Sequence, residues 1–428
     1  MDTVINVLLI GNGGREHALA WGMAKSPNLG RLYIAPGNPG TALCGTNVTL
    51  DTADFEAVTG FIVENEIGLT VVGPEQPLVD GISDYLNERG HKVFGPSAAA
   101  ARLEGSKSFA KAIMQKYGIP TAGYKRFAFE ELEDAVHFLE HTDTWPMVLK
   151  ADGLAGGKGV FICEDKQDAI NRLRLMSENP AMNASGSLII EEFMEGEEVS
   201  VFAVTDGREA RILHPAQDHK RIGDGDTGLN TGGMGAYAPA PLMDETLLKE
   251  VEDTIIHRVL GGMQREGTPY RGVLYVGLMI TENGPKVVEF NCRFGDPECQ
   301  VLVPGLESDL LELLLAAVEG TLGETEVALS KDHYCCVVMA SLGYPEAYEK
   351  GKRITGLDEL SGDVPLFHSG TTESGGEIIT SGGRVLSVIG SGRSLEKAVE
   401  SAYEQVKKIH FDKAYYRSDI GKKGLLLK

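Results

Sequence analysis

The run LLIGNGGREHALAWGM, Leu8 to Met23, takes a short apolar strand into a glycine-rich turn and then into a helix. Such a turn often holds a dinucleotide, which requires G-x-G-x-x-G, or a final Ala, and an acid about 20 residues on for the ribose. Gly11 and Gly13 fit, but the third position is Glu16, and the next strand ends YIAPG without an acid. The dinucleotide reading fails on both counts. What survives is a helix N-terminus with bare backbone N–H groups and Arg15 beside it, suited to a single phosphate or other anion.

Working outward, the first hundred residues alternate strand and helix. VINVLLIG, RLYIAPG, LTVVGP and KVFGPS are apolar runs ending in Gly or Pro; helices are expected from Arg15, over Asp54–Asn65 and up to Arg89. This pattern belongs to a parallel sheet covered on both faces, a doubly wound α/β domain. Ligands in such sheets sit beyond the carboxyl ends of the strands, where Gly11–Gly14, Pro36–Thr41 and Gly73–Gln76 cluster. A helix from Ser97 to Tyr117 leads out and is broken by GIPTAGY. The middle of the chain is read mostly as strands, with a helix near Asp244–Gln264; a last module has strands YCCVVMAS and RVLSVIGSG and a helix around Leu395–Lys408.

Composition bounds the function. The chain has 428 residues, 42% apolar and 24% charged, the balance of a globular protein with ample core. Its 53 glycines point to many close backbone approaches, as a set of phosphate loops would need. A net charge of −22 argues against a nucleic-acid partner, which needs clustered Lys and Arg. The start MDTVINVLLIG has no basic leader, and no apolar run reaches 18 residues, so a cytoplasmic protein without membrane spans is expected. Six cysteines without a C-x-x-C pair are read as reduced thiols rather than zinc ligands.

Four polar runs carry the chemistry. In PMVLKADGLAGGKGVFI, Lys150 ends an apolar strand and precedes Asp152, Gly153, Gly156, Gly157, Lys158 and Gly159. It lacks the G-x-x-x-x-G-K-[ST] order of a P-loop and reads as a mobile hairpin folding over phosphates while Lys150 meets them from the sheet. In LIIEEFMEGEEVS, backbone groups beside Phe193 and Met194 suit an adenine edge, and Glu198 suits ribose hydroxyls. In VVEFNCRFGD, alternation puts Glu289, Asn291 and Arg293 on one face, with Val288, Phe290 and Cys292 in the packing. The carboxylate and amide suit Mg2+ shared with phosphates; the guanidinium suits a carboxylate or phosphate. QDHKRIGDGDTGLNTGGMGAY, Gln217–Tyr237, is too rich in glycine for a core element and is expected to be an ordered site loop containing Asp218, His219, Lys220 and Arg221. His17, His214 and His333 are taken as packing or surface residues.

Together these runs, with APGNPGT, VVGPEQPLVDGI, LEGSKSFAK, SGGRVLSV and YYRSDIG in order along nearly the whole chain, resemble the ATP-grasp superfamily and, within it, the phosphoribosylamine–glycine ligases. The resemblance implies an α/β (overall α+β) protein with three parts. These are a substrate-binding doubly wound domain over 1–103, an ATP-grasp region over 104–325 with a lid at about 122–193, and a β-rich C-terminal domain over 326–428. It implies ATP-dependent ligation of glycine to 5-phosphoribosylamine through glycyl phosphate, in purine biosynthesis. Lys107, Lys150 and Gly153 to Gly159 would hold ATP phosphates; Glu191, Glu192, Phe193 and Met194 the adenine; Glu198 the ribose, with Lys220 and Asn230 nearby. Glu289 and Asn291 would hold Mg2+ or Mn2+, Arg293 and Asp218 would grip glycine, and Asn12, Gly13, Gly14 and Arg15 the sugar phosphate. Lys150, Asp218 and Arg293 are the residues expected to act in the reaction. The family also implies a monomer or dimer and occasional fusion to other purine enzymes.

Overall fold

The computed structural model describes residues 4–154, 159–360 and 365–427. Strands β1 (Ile5–Gly11), β2 (Leu29–Pro36), β3 (Thr46–Asn47), β4 (Ile67–Val72) and β5 (Val93–Phe94) form a parallel sheet in the order β3-β2-β1-β4-β5. The order reverses between β2-β1 and β1-β4, so the turn after β1 opens into the crevice where such sheets bind ligands. Val7, Leu8, Leu9 and Ile10 are fully buried in sequence, because helices cover both faces of β1. Helix α1 (Gly14–Met23) leaves that turn directly.

Three further sheets position the rest. β6 (Tyr124–Ala128), β7 (Met147–Ala151), β8 (Val160–Cys163) and β9 (Ser187–Glu192) pair antiparallel in the order β6-β9-β7-β8. Helices Leu132–Glu140 and Lys166–Glu178, which the sequence reading did not resolve, bury Ala135, Leu139, Ala169 and Leu173 against this sheet in a core of its own. β10 (Glu197–Thr205) and β11 (Ala210–Ile212) join β16 (Gly272–Thr281) and β17 (Gly284–Asn291) in the order β11-β10-β16-β17.

The long glycine loop is ordered, as expected, into β12 (Gln217–Asp218), the hairpin β13 (Arg221–Gly223) and β14 (Thr227–Asn230), and β15 (Gly235–Ala238). β12 and β15 continue a sheet with β18 (His333–Ser341), β19 (Leu366–His368), β22 (Arg384–Gly392) and, off its edge, β23 (Ala414–Tyr415). β20 (Thr371–Ser374) and β21 (Glu377–Thr380) form a separate hairpin. Loop strands expected in the middle of the chain thus hydrogen-bond into the C-terminal sheet. One apolar core runs from Val7 and Leu9 through Phe202 and Val273 to Val338 and Phe367, tying the first sheet to the last.

Two expectations need correction. The helix expected over Ser97–Tyr117 is two helices, Ala98–Gly105 and Lys107–Lys116. Ser106 between them is extended (φ −145°, ψ 109°), and its hydroxyl accepts the Phe109 N–H as an N-cap, which starts the second helix in a new direction. In β17 the register with β16 slips between Gly277–Glu289 and Leu278–Val287, so Val288 is the extra residue of a bulge. Val287, Phe290 and Cys292 are buried in the packing, but Val288 is half-exposed, with its carbonyl turned toward Lys150 of β7.

Candidate active site

The β6-β9-β7-β8 sheet and the β11-β10-β16-β17 sheet meet at Lys150. This residue, next to last in β7, is buried, its Nζ 2.9 Å from Glu191 Oε2 on β9 and donating at 3.3 Å to the bulged Val288 carbonyl of β17. Lys111, one helical turn after Lys107, brings its Nζ to 3.3 Å from the other Glu191 oxygen and donates to Thr121 Oγ1 at 2.8 Å. Lys107 donates to the Gly153 carbonyl at 2.9 Å, at the start of the glycine hairpin. Burial pushes the Lys107 ammonium down; Glu289 and Asp152 oppose this and Lys150 adds to it, so these groups share one field. Lys111 is pushed down to about 8 by burial, partly offset by Glu191.

Asp152 anchors the hairpin rather than facing a ligand. It accepts from Ser108 N at 3.2 Å, Gly153 N at 3.0 Å and Ser187 Oγ at 3.0 Å, and these donors hold its carboxyl below the usual range against the opposing effect of burial. Gly159 is buried and its carbonyl accepts the Ala151 N–H at 2.8 Å; Gly156, Gly157 and Lys158 lie outside the described residues. From Glu192, the last residue of β9, the chain leaves the core: Glu192 and Phe193 are exposed and Met194 half-buried.

Across the crevice, Lys220 pairs with Glu198 and, at 3.1 Å, with Asp218. The Lys220 partner holds Glu198 below its ordinary value, while burial raises Asp218 against the pull of Lys220. Asn230 is exposed on β14, opposite Arg221 in the hairpin. Glu289 is half-buried and Asn291 buried at the end of β17. Among the described residues no group of three or more His, Cys, Asp or Glu is arranged to hold a metal by protein ligands alone. Two oxygen donors and no protein cage suit a hard divalent cation whose other ligands are phosphates and water.

Arg293 lies just past β17, and two carboxylates hold it: Glu75 Oε2 at 3.2 Å and Glu104 Oε1 at 3.1 Å. These acids raise its pKa even though burial opposes them. Glu75 opens the short helix Glu75–Val79 that follows β4, so Arg293 joins the end of β17 to the crevice of the first sheet. Neither Glu75, Glu104 nor Lys111 was singled out from sequence, although the i, i+4 spacing of Lys107 and Lys111 puts both on one helix face.

The first glycine loop differs from its sequence reading. Gly13 N–H donates to Glu16 Oε2 at 2.7 Å, so it is not bare, and Arg15 is buried, with Nε 2.6 Å from Glu16 Oε1 and a guanidinium N–H donating to the Phe294 carbonyl at 3.2 Å. The Glu16 side chain fills the space between the ends of β1 and β4: a Cβ on Gly11, whose φ is +128°, or on Gly73 would collide with it. The Gly11 conformation and that packing both exclude a side chain there. Asn12 stays exposed at the mouth, and Asn38 donates at 2.8 Å to its carbonyl.

The comparisons with known proteins follow this anatomy. Models described as the N, ATP-grasp (A) and C domains of phosphoribosylglycinamide synthetase match residues 5–104, 105–299 and 334–423. A phosphoribosylamine–glycine ligase of Rhodopirellula baltica is 48% identical over 98% of this chain and 98% of its own length. The chain belongs to the phosphoribosylglycinamide synthetase family. Within the family, the human trifunctional purine biosynthetic protein adenosine-3 is 46% identical over 97% of this chain, which spans 41% of that protein. A crystal structure of phosphoribosylamine–glycine ligase from Thermotoga maritima superposes with a TM-score of 0.84 at 36% identity, covering 97% of this chain and 100% of that one. As a member of the family, this chain carries the ATP-grasp fold that its sequence resembled. No helix among the described residues is long and apolar enough to cross a membrane.

Proposed function

We infer that this synthetase joins glycine to 5-phosphoribosylamine with ATP, giving glycinamide ribonucleotide, ADP and phosphate, a step of purine biosynthesis. One observation carries the reading: Lys111 and Lys150 share the single carboxylate of Glu191, and Lys107, donating to the Gly153 carbonyl, lies in one field with Lys150 and Glu289. Their surplus positive charge suits a polyphosphate.

In this reading Lys107, Lys150 and the hairpin from Gly153 to Gly159 hold the ATP phosphates. Glu191, Glu192, Phe193 and Met194 line the adenine, and Glu198 takes the ribose with Lys220 and Asn230 alongside. Glu289 and Asn291 would hold a divalent cation, Mg2+ or Mn2+, which would supply charge neutralisation at the phosphate oxygens. Asp218 and Arg293 grip glycine, and Asn12, Gly13 and Gly14 form the mouth that takes the sugar phosphate, with the buried Arg15 holding that loop from beneath through Glu16.

The chemistry needs no enzyme nucleophile. Glycine's carboxylate attacks the γ-phosphate, and the lysines offset the repulsion between these anions. The hairpin then shields glycyl phosphate from water until the amine displaces phosphate. ADP release with glycine, with and without phosphoribosylamine generated in place, tests the reading; glycine-independent or amine-independent turnover at the full rate overturns it.

A further inference from the structure

Glu298 has no role in the scheme above, yet it sits where the two halves of the reaction meet. On one side the turn Asp296–Glu298 lies beside the first glycine loop: Asp296 Oδ2 is 3.4 Å from where a Cβ on Gly13 would stand. Asp296 is itself held by Gln300 Nε2 at 2.7 Å and Arg384 at 3.2 Å. On the other side Tyr275, paired with Asn291 across β16 and β17, donates its phenol to Glu298 Oε1 at 2.9 Å. The Tyr275 oxygen accepts from Ser200 Oγ at 2.8 Å, so the phenol is oriented from both ends.

The charges around Glu298 leave it without a cation of its own. Lys220 is paired to Glu198 and Asp218, and Arg293 to Glu75 and Glu104; among the described residues no ion pair reaches Glu298. It is 3% exposed. Burial and the neighbouring Asp218 push its carboxyl up to about 7, against the pull of Lys220 and the Tyr275 hydrogen bond. A buried carboxylate that titrates near neutrality is a proton acceptor in want of a donor.

We propose that Glu298 takes the proton from the amine nitrogen as that nitrogen attacks the glycyl carbonyl. The new bond is N–C; the C–O bond to phosphate breaks, and its electron pair leaves with phosphate. The N–H proton passes to Glu298 Oε2, the oxygen not held by Tyr275, and is released to solvent after product leaves. The proposal rests on the ligase reading, and it divides the reaction: Glu298 serves acyl transfer and is idle in glycyl phosphate formation.

The test uses hydroxylamine, which captures glycyl phosphate as glycine hydroxamate without the sugar-phosphate amine. In Glu298→Gln, amine-dependent ADP release should fall about a hundredfold or more, while hydroxamate formation from ATP and glycine stays at the wild-type rate. In Tyr275→Phe, loss of the phenol should move the acid limb of amine-dependent kcat from near pH 7 to higher pH, with hydroxamate formation again unchanged. Parallel loss of both activities in either variant, or full amine-dependent turnover in Glu298→Gln, overturns the proposal. Absence of glycine hydroxamate in the wild type overturns the ligase reading itself.

Discussion

Two charged crevices face each other across this molecule, and they are unbalanced in opposite senses. Around Glu191, Lys111 and Lys150 outnumber the one carboxylate they share, and Lys107 lies in the same field beside Glu289. Around Lys220, three acids, Asp218, Glu198 and Glu298, outnumber the cation. Unpaired buried charge is costly, so each imbalance marks what the crevice awaits: a polyanion on the first side, an ammonium or amine on the second. By contrast, Arg293 is held by both Glu75 and Glu104, which fix its guanidinium where glycine is placed and link the parts of the chain.

The largest effect that would break this comparison is loss of the residue facing the cationic side. Glu289→Ala should remove most turnover, a hundredfold or more, with circular dichroism unchanged; near-normal turnover at saturating divalent cation would show that Glu289 is not a ligand. Glu191→Gln sharpens it from inside. Without that anion the lysines repel one another, so the unfolding midpoint should drop in the absence of nucleotide and recover most of the loss when ATP supplies the missing charge. A drop that ATP does not repair would mean the lysines are structural.

Arg15→Ala probes the matched charges. Removing Arg15 strands buried Glu16, a loss of about 3–5 kcal/mol for a broken buried pair, and loosens the loop of Asn12 to Gly14; the KM for phosphoribosylamine should rise several-fold while that for ATP stays put. Equal changes in both KM values would separate that loop from the sugar-phosphate site.

The smallest effect concerns three buried histidines, His17 and His368 packed together near the first glycine loop and His219 between Asp218 and Lys220. His17, His219 and His368 are held neutral by burial, with values pushed down to about 3, 4 and 4. Their folded values lie below the unfolded one, near 6.5, so the unfolded chain binds more protons at acid pH and stability falls as pH drops through and below 6.5. Thermal unfolding followed from pH 7.5 to 4.5 should show this slope, shallower in His219→Phe. An unchanged slope in that variant would place the acid sensitivity elsewhere.

How much of this was written in the chain depends on how local the signal is. The strands β1, β2 and β4 were legible because each is a short apolar run closed by Gly or Pro, and Glu289 with Asn291 was legible because alternation along one strand is a local rule. The split of the helix at Ser106 escapes the local pattern because a serine inside a periodic run reads as tolerated; its extended backbone and the Phe109 N–H it accepts make it a cap. Val288 was misplaced because a bulge depends on the partner strand, and that pairing with Gly277 and Leu278 has no trace in the local pattern.

The sequence by itself determined the doubly wound start, the absence of a dinucleotide fingerprint at Glu16, and the residue types from which an ATP-grasp site is built, since periodicity and motif spacing act within a few turns of chain. The tertiary structure alone decided which charges meet. It turned Arg15 inward onto Glu16 and Phe294, paired Arg293 with acids 218 and 189 positions away, and brought Glu298 beside Tyr275 and Asp218. Electrostatics acts through space and burial, and neither can be read from neighbours along the chain.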